Sequence, residues 1–348
     1  MRRGEALKMN KEQLVDTANR LVAKGRGILA ADEGSGTIQK RFDSIGLKAT
    51  EPLRRSYREL IFRTPLLEEF ISGAILFDET IRQVADDGTP LPQILSDKGI
   101  IPGIKSDSGP KDLPGCPGEQ VTEGLDGLRE RLAEWYDLGA RFSKWRAVIK
   151  IDGDALPSDN CMAANAHALA RNAALSQEAS IVPIVEPEVL MDGHHDITRC
   201  EEVTEQALRA LYSELYDQGV MLEGTLLKPN MVLSGKGSSQ QAGVQEVAES
   251  TVRCFKRAVP AAVPGVVFLS GGQTPELATA HLNAMNALGN APWELSFSYG
   301  RALLDPALKA WKGDMANAEA AQAALYNRAR MNGSARDGSY SSAMEKAA

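Results

Sequence analysis

Apolar residues recur along the chain in short runs that end in polar or charged groups. Gly27–Ala31 leads into Asp32-Glu33-Gly34-Ser35-Gly36, Gly73–Phe77 into Asp78-Glu79, and Ile100–Ile104 into Lys105. Ala140–Val148 carries Lys144 and Arg146, and Ile181–Val185 reaches Glu186-Pro187-Glu188. Leu222–Leu227 stops at Lys228-Pro229-Asn230, Val266–Leu269 at Ser270-Gly271-Gly272, and Glu294–Tyr299 at Gly300-Arg301. Runs of this length bounded by Gly, Pro and polar residues predict strands. Between them the apolar residues recur at helical spacing. An amphipathic helix is predicted over residues 1–24 on Leu7, Leu14, Ala18, Leu21 and Val22, with others over 52–69, 122–138, 161–178, 198–218, 243–258, 275–288 and 317–331.

Eight short apolar strands alternating with helices make parallel βαβ units. Eight such units fit an α/β fold closed as a (β/α)8 TIM barrel. The doubly wound open sheet is the alternative. It calls for a GxGxxG turn after the first strand, and Gly34-Ser35-Gly36-Thr37 is not followed by the third glycine. Residues 102–118, rich in Pro and Gly, read as a βα loop and not as a linker. No domain boundary is apparent. The expectation is a single barrel domain over 1–333, with an N-terminal and a C-terminal helix, and a mobile tail over 334–348.

Composition narrows the function classes. A formal net charge of −7 over 348 residues argues against a nucleic-acid surface, which shows as a basic excess. No apolar run approaches the ~20 residues of a membrane span. Met1-Arg2-Arg3 is not followed by an apolar core, so no secretory leader is expected. The four cysteines, Cys116, Cys161, Cys200 and Cys254, form no CxxC pair and suit a reducing cytoplasm. The four histidines show no HxH or HExxH spacing, so no metal is expected. No GxSxG elbow is present.

The chemistry collects at the ends of the strands. Strand residues alternate their faces, so Gly224, Leu226 and Lys228 are expected on one face. An amine at the tip of a buried strand is paired, neutral, at work, or snorkelling outward. By the same parity Lys144 and Arg146 share a face, as do Glu186 and Glu188. In a barrel those faces converge near Lys228, although any single pair could be a structural ion pair. Burial and neighbouring cations favour the neutral form of an amine. A neutral lysine attacks carbonyl carbon and forms a Schiff base. The resulting iminium is an electron sink for cleavage of the carbon–carbon bond β to the carbonyl, or for proton abstraction α to it. Glu186 and Glu188 are candidates for its proton transfers. Ser270-Gly271-Gly272 and Arg301 follow the last two strands, the usual barrel phosphate site, and a guanidinium can clamp phosphate bidentately. A second anion could meet Lys40-Arg41 and Lys105, or Lys40-Arg41 could be a solvated face.

Gly27–Glu33 (GILAADE), Ala74–Glu79 (AILFDE), Ala85–Gly88 (ADDG), Lys144–Arg146 (KWR), Ile181–Glu188 (IVPIVEPE), Leu222–Asn230 (LEGTLLKPN), Phe268–Gln273 (FLSGGQ) and Ser298–Ala302 (SYGRA) stand in an order and spacing that resembles class I fructose-bisphosphate aldolase, the Schiff-base, metal-independent type. The resemblance covers about residues 10–340. It implies a (β/α)8 barrel, no cofactor, and reversible cleavage of fructose 1,6-bisphosphate to dihydroxyacetone phosphate and glyceraldehyde 3-phosphate. It also implies that Lys228 is the Schiff-base lysine and Glu186 the acid/base of dehydration. Asp32 would take the C4 hydroxyl proton, Lys144 would orient substrate, and Glu188 would support them. Ser270, Gly271, Ser298 and Arg301 are implied for the first phosphate. Thr37, Arg41 and Lys105, with Arg146 in the same pocket, would serve the rest of the substrate and its second phosphate. Thr122–Leu128 resembles the family's subunit-contact region and suggests a homotetramer. Two departures stand out. The serine that relatives carry after the first strand is Gly34 here, and the terminal tyrosine of many relatives is missing, the last tyrosine being Tyr340. A Schiff-base aldolase or transaldolase for another sugar phosphate, and a scaffold protein that keeps the fold without turnover, are the competing readings.

Overall fold

The computed structural model describes residues 9–346. The part of the N-terminal helix expected over 1–8, and the last two residues of the tail, lie outside them. Eight parallel strands close into a barrel: β1 (Gly27–Ala31), β2 (Ile71–Leu76), β3 (Ile101–Lys105), β6 (Phe142–Ile149), β7 (Val182–Val189), β8 (Leu226–Leu227), β9 (Gly265–Phe268) and β10 (Glu294–Tyr299). The remaining strands, β4 (Gly109–Asp112) and β5 (Gln120–Glu123), form an antiparallel hairpin outside the barrel. β1 pairs with β10 to close the ring.

Alternation along these strands separates two cores. One set packs inside the barrel, with Ile28, Ala30, Ile75, Ile101, Phe142, Val182, Ile184, Leu226 and Val267 in one buried cluster. Leu14, Ala18 and Leu21 of the helix Lys11–Leu21, with Val22 just beyond it, join that cluster and plug the N-terminal end of the barrel. The Phe142 ring fills the space beside Gly103, where any Cβ would clash with it. The other set, among them Leu29, Leu76, Ile104, Trp145, Val185 and Phe268, faces outward into the layer beneath the helices. Fully burying such a side chain stabilises by about 1.5–3 kcal/mol. Continuing inward parity upward from the plug gives Ile28, Ala30, Asp32 on one strand and Phe142, Lys144, Arg146 on another. The apolar floor therefore gives way to charge at the C-terminal mouth.

Local rules explain most boundaries. Ser158 and Asp196 cap the helices Asp159–Glu178 and Ile197–Asp217, each accepting from the backbone N–H three residues on. Thr274 does the same for Pro275–Leu288, with proline at its first position. The differences from the sequence expectations have physical causes. The helix expected from residue 122 starts at Leu128, because Gly124 and Gly127 adopt positive φ and break the turn. The expected βα loop over 102–118 carries one strand of the β4–β5 hairpin. The strand expected from Leu222 to Lys228 is a 3₁₀ turn, Leu222–Gly224, followed by only Leu226–Leu227. Here the Gln177 side chain takes the main-chain groups that a ladder would have used. It accepts from Met221 N–H at 2.9 Å and donates to Met221 O at 2.7 Å and Gly224 O at 3.1 Å.

At the C-terminal side, a helix Arg301–Trp311 begins at Arg301 itself. The last helix runs Ala318–Arg336, through Gly333 and past it. Gly333 is there because a Cβ would meet Gly25 O at 2.9 Å and the Phe70 ring at 2.5 Å, so it marks close packing and not a helix stop. The segment expected as a mobile tail is seated in this structure through residue 346. Tyr340 N–H donates to Asn283 Oδ1 at 2.9 Å, and its hydroxyl donates to Glu345 Oε1 at 2.9 Å. Arg328 Nη1 donates to both Glu345 oxygens at 2.6 and 2.7 Å. Burial and then Glu345 push the Tyr340 phenol up to about 12. Tyr340 thus packs against an outer helix of the barrel.

Candidate active site

Lys228 follows β8 directly, and its N–H donates to Val185 O at 2.8 Å. Pro229 ends the strand there. Asn230 then fixes the chain by accepting from Val189 N–H at 3.0 Å and donating to Thr204 Oγ1 at 3.1 Å. The amine lies 3.2 Å from Glu186 Oε1. Glu186 Oε2 lies 3.3 Å from Lys144 Nζ, which lies 2.8 Å from Asp32 Oδ2. The result is a buried row of alternating sign: Asp32, Lys144, Glu186, Lys228. Beside it Arg146 Nε pairs with Glu188 Oε2 at 2.5 Å.

Sequence reasoning missed Asp107. Its side chain is only 2% exposed, lies 3.4 Å from Lys105 Nζ and 3.9 Å from Lys144 Nζ, and accepts from Arg146 N–H at 3.2 Å. It stands two residues after Lys105, just past the end of β3, where strand parity no longer applies. Four cations and four carboxylates balance in this interior, which is how the fold tolerates them.

Mutual charge sets the protonation states. Burial would raise the Asp32 carboxyl, but Lys144, then Lys228 and Lys105, outweigh it and hold it well below the usual range. Burial likewise opposes Glu186, and Lys228, Lys144 and Arg146 bring its carboxyl down. Burial would lower the Lys144 ammonium, but Asp32, Glu186 and Asp107 hold it far above the ordinary lysine value. The depressed carboxylates contribute stability above their unfolded values near ~4 and lose it as pH falls; the raised lysine contributes below ~10.4 and loses it as pH rises. Both contributions are in force at neutral pH. Lys144→Met strands two buried carboxylates, and removing one partner from a buried pair costs about 3–5 kcal/mol. The melting temperature should drop at pH 7, and the gap to wild type should narrow as pH is lowered towards 4. A gap of constant size across that range would contradict the ionic account.

The phosphate-type groups gather on one side of the mouth. Gly271 and Gly272 turn at φ +60° and +87°. Gln273 N–H closes the turn on Ser270 O at 3.0 Å. Arg301 opens its helix next to this turn. Ser298 Oγ is buried and has no hydrogen-bond partner among the described residues. On the other side, Thr37 and Arg41 lie on the helix Ser35–Asp43. Arg41 is held between Glu33 at 3.1 Å and Asp305 at 2.9 Å, and Glu33 also takes Arg58 at 2.6 Å. Sequence reasoning assigned Glu33 no part, although it lines the same cleft as Asp32. A cleft of about 540 Å³ joins the two sides, and every site residue named from the sequence lines it: Asp32, Thr37, Arg41, Lys105, Lys144, Arg146, Glu186, Glu188, Lys228, Ser270, Gly271, Ser298 and Arg301. Tyr340 is not among its lining residues. Among the described residues no group of three His, Cys, Asp or Glu side chains is placed to hold a metal ion.

A lysine paired with a carboxylate at the C-terminal mouth of a closed α/β barrel, with a phosphate-type turn beside it, fits the class of barrel enzymes that work from that face. The chain belongs to the class I fructose-bisphosphate aldolase family, whose model, "Fructose-bisphosphate aldolase class-I", matches residues 13–348. It is thus a glycolytic lyase that cleaves fructose 1,6-bisphosphate reversibly to dihydroxyacetone phosphate and glyceraldehyde 3-phosphate. The chain is 61% identical over 326 residues to a "Probable fructose-bisphosphate aldolase class 1" of Xanthomonas campestris pv. campestris, covering 93% of this chain and 97% of that one. It is 51% identical to "Fructose-bisphosphate aldolase 4, cytosolic" of Arabidopsis thaliana, over 94% and 84% of the two chains. A solved structure of fructose-bisphosphate aldolase from Plasmodium falciparum, in complex with TRAP and a small-molecule inhibitor, superimposes with a TM-score of 0.94 at 48% identity, over 96% of this chain and 97% of that one.

Proposed function

We propose that Lys228 is the covalent nucleophile of this aldolase and that Glu186 moves the protons of imine formation. The observation that supports this most directly is the 3.2 Å contact between Lys228 Nζ and Glu186 Oε1 in the cleft. Transfer of a proton from the amine to Glu186 frees the lone pair that attacks C2 of the ketose. It also removes the Lys228 charge that holds Glu186 down, so the carboxyl keeps the proton until the carbinolamine sheds water. The iminium then draws electrons from the C3–C4 bond while Asp32 accepts the C4 hydroxyl proton. The aldehyde leaves and an enamine remains on Lys228. Protonation at C3 and hydrolysis release dihydroxyacetone phosphate and restore the lysine. Lys144 stays protonated throughout and orients the substrate oxygens, and Glu188 supports through Arg146. Borohydride trapping with fructose 1,6-bisphosphate, followed by peptide mass mapping, tests the nucleophile. The adduct should map to Lys228, and an adduct elsewhere would overturn the assignment.

Ser270, Gly271, Ser298 and Arg301 are proposed to hold one phosphate, with Thr37, Arg41 and Lys105 towards the other. Losing one partner of a charged hydrogen bond costs about 1.5–3 kcal/mol. Arg301→Ala should therefore weaken bisphosphate binding by roughly ten- to over a hundredfold. An unphosphorylated ketone should suffer far less; equal losses for both would contradict a phosphate role.

The same reading puts the protein in the cytoplasm as a homotetramer. The part-exposed segment Thr122–Leu128, which runs from the end of β5 to the start of the next helix and resembles the family's contact region, supports the assembly. Light scattering at micromolar concentration should give four times the 37.5 kDa chain mass.

A further inference from the structure

The loops after β7 and β8 are clasped together by their main chains. Gly235 N–H donates to His195 O at 2.9 Å, Lys236 N–H to Met191 O at 2.7 Å, and Gly237 N–H to Gly193 O at 2.8 Å. Both glycines are required by this approach. A Cβ at 235 would meet Gly193 O at 2.6 Å, and one at 237 would meet His194 Nδ1 at 2.6 Å. Within Gly235-Lys236-Gly237 only Lys236 presents a side chain, and the clasp fixes the backbone from which it extends. A Cβ placed on Gly272 would lie 3.1 Å from Lys236 Nζ and 3.0 Å from Arg301 Nη2. Both cations therefore converge on one point at the surface of the Ser270–Gly272 turn. Asp192 holds the amine there at 3.1 Å, and at 44% and 68% exposure this pair is too solvated to bind the lysine away from a competing anion.

We propose that Lys236 is a second cation of the phosphate subsite, selecting phosphorylated ketoses jointly with Arg301. This rests on the assignment of the Ser270–Gly272 turn to phosphate. Two like charges directed at one glycine turn repel each other, the solvated Asp192 screens only the lysine, and a phosphate oxygen can accept from both. Division of labour follows from their settings. Arg301 is rooted in a helix and offers a planar fork, whereas Lys236 rides on a loop as a point charge.

The test compares Lys236→Gln, Lys236→Arg and Arg301→Ala with wild type, measuring dissociation constants for dihydroxyacetone phosphate, inorganic phosphate and unphosphorylated dihydroxyacetone at several salt concentrations. Lys236→Gln should weaken dihydroxyacetone phosphate and inorganic phosphate by about three- to tenfold, a value set between a screened surface pair and a desolvated charged bond. It should leave dihydroxyacetone unchanged and reduce the salt dependence of phosphate binding. Lys236→Arg should restore most of the loss. If Arg301→Ala discriminates between phosphorylated and plain ketone while Lys236→Gln matches wild type on both, the lysine has no part in phosphate binding. If neither variant discriminates, the subsite assignment itself is wrong.

Discussion

Lys228→Met gives a protein that still binds phosphate ligands but forms no covalent adduct and turns over no fructose 1,6-bisphosphate. Methionine fills nearly the same volume among the same neighbours, so packing at the tip of β8 is kept. What disappears is the amine, and with it the iminium that accepts the electrons of the broken C3–C4 bond. No second lysine replaces it, since Lys144 is held as an ammonium by Asp32, Glu186 and Asp107. Turnover should fall more than about 10⁴-fold, the scale on which nucleophile deletions act in other covalent enzymes. Lys228→Arg, which keeps the charge beside Glu186, should be equally inactive. Activity in that variant would show that charge, and not nucleophilicity, is what the position supplies.

Glu186→Gln should have the next largest effect. An amide of the same shape cannot shuttle protons, and general acid–base catalysis contributes about 10²–10⁴-fold. The loss should appear in kcat and in the rate of borohydride trapping under single-turnover conditions, because carbinolamine dehydration slows. Phosphate affinity should not change, as Glu186 is in the interior row and not at the Ser270–Gly272 turn. Glu188→Gln is the control. Glu188 pairs with Arg146 at 2.5 Å, so its loss should act through positioning and cost much less. Equal losses in the two variants would mean that the carboxylates act as a charge pair and that Glu186 has no distinct proton-transfer role.

The site was largely legible because inward parity carries information up a strand. Once a barrel is inferred, residues two apart on one strand must share its interior, which brought Lys144, Arg146, Glu186 and Glu188 together with Lys228. Loops carry no such period. Asp107 lies just past β3, and Lys236 lies in a loop whose Gly-Lys-Gly pattern has meaning only against the loop it clasps. The β4–β5 hairpin escaped because Gly109–Asp112 shows no apolar alternation. The end of the last helix escaped because Gly333, a stop signal by propensity, is there for contact with Phe70 and Gly25. Arg41 shows the reverse error of scale. Its charge was visible, but its engagement by Glu33 and Asp305, the latter 264 residues away, was not.

The brevity of β8 has a bearing on directed evolution. Only Leu226–Leu227 pair with β7, and Leu227 alone pairs with β9, so the sheet fixes the lysine's strand at few points. Two side-chain amides, Gln177 beneath the strand and Asn230 above it, hold the rest. A saturation library scored for turnover should therefore report both positions as intolerant, although neither lines the cleft. Their carboxylate variants should be selected against as strongly as alanine, since Asp or Glu keeps the acceptor and loses the donor. A sequence-space search that recruits this barrel for a new carbonyl substrate has freedom around the rim, but little in these two amides.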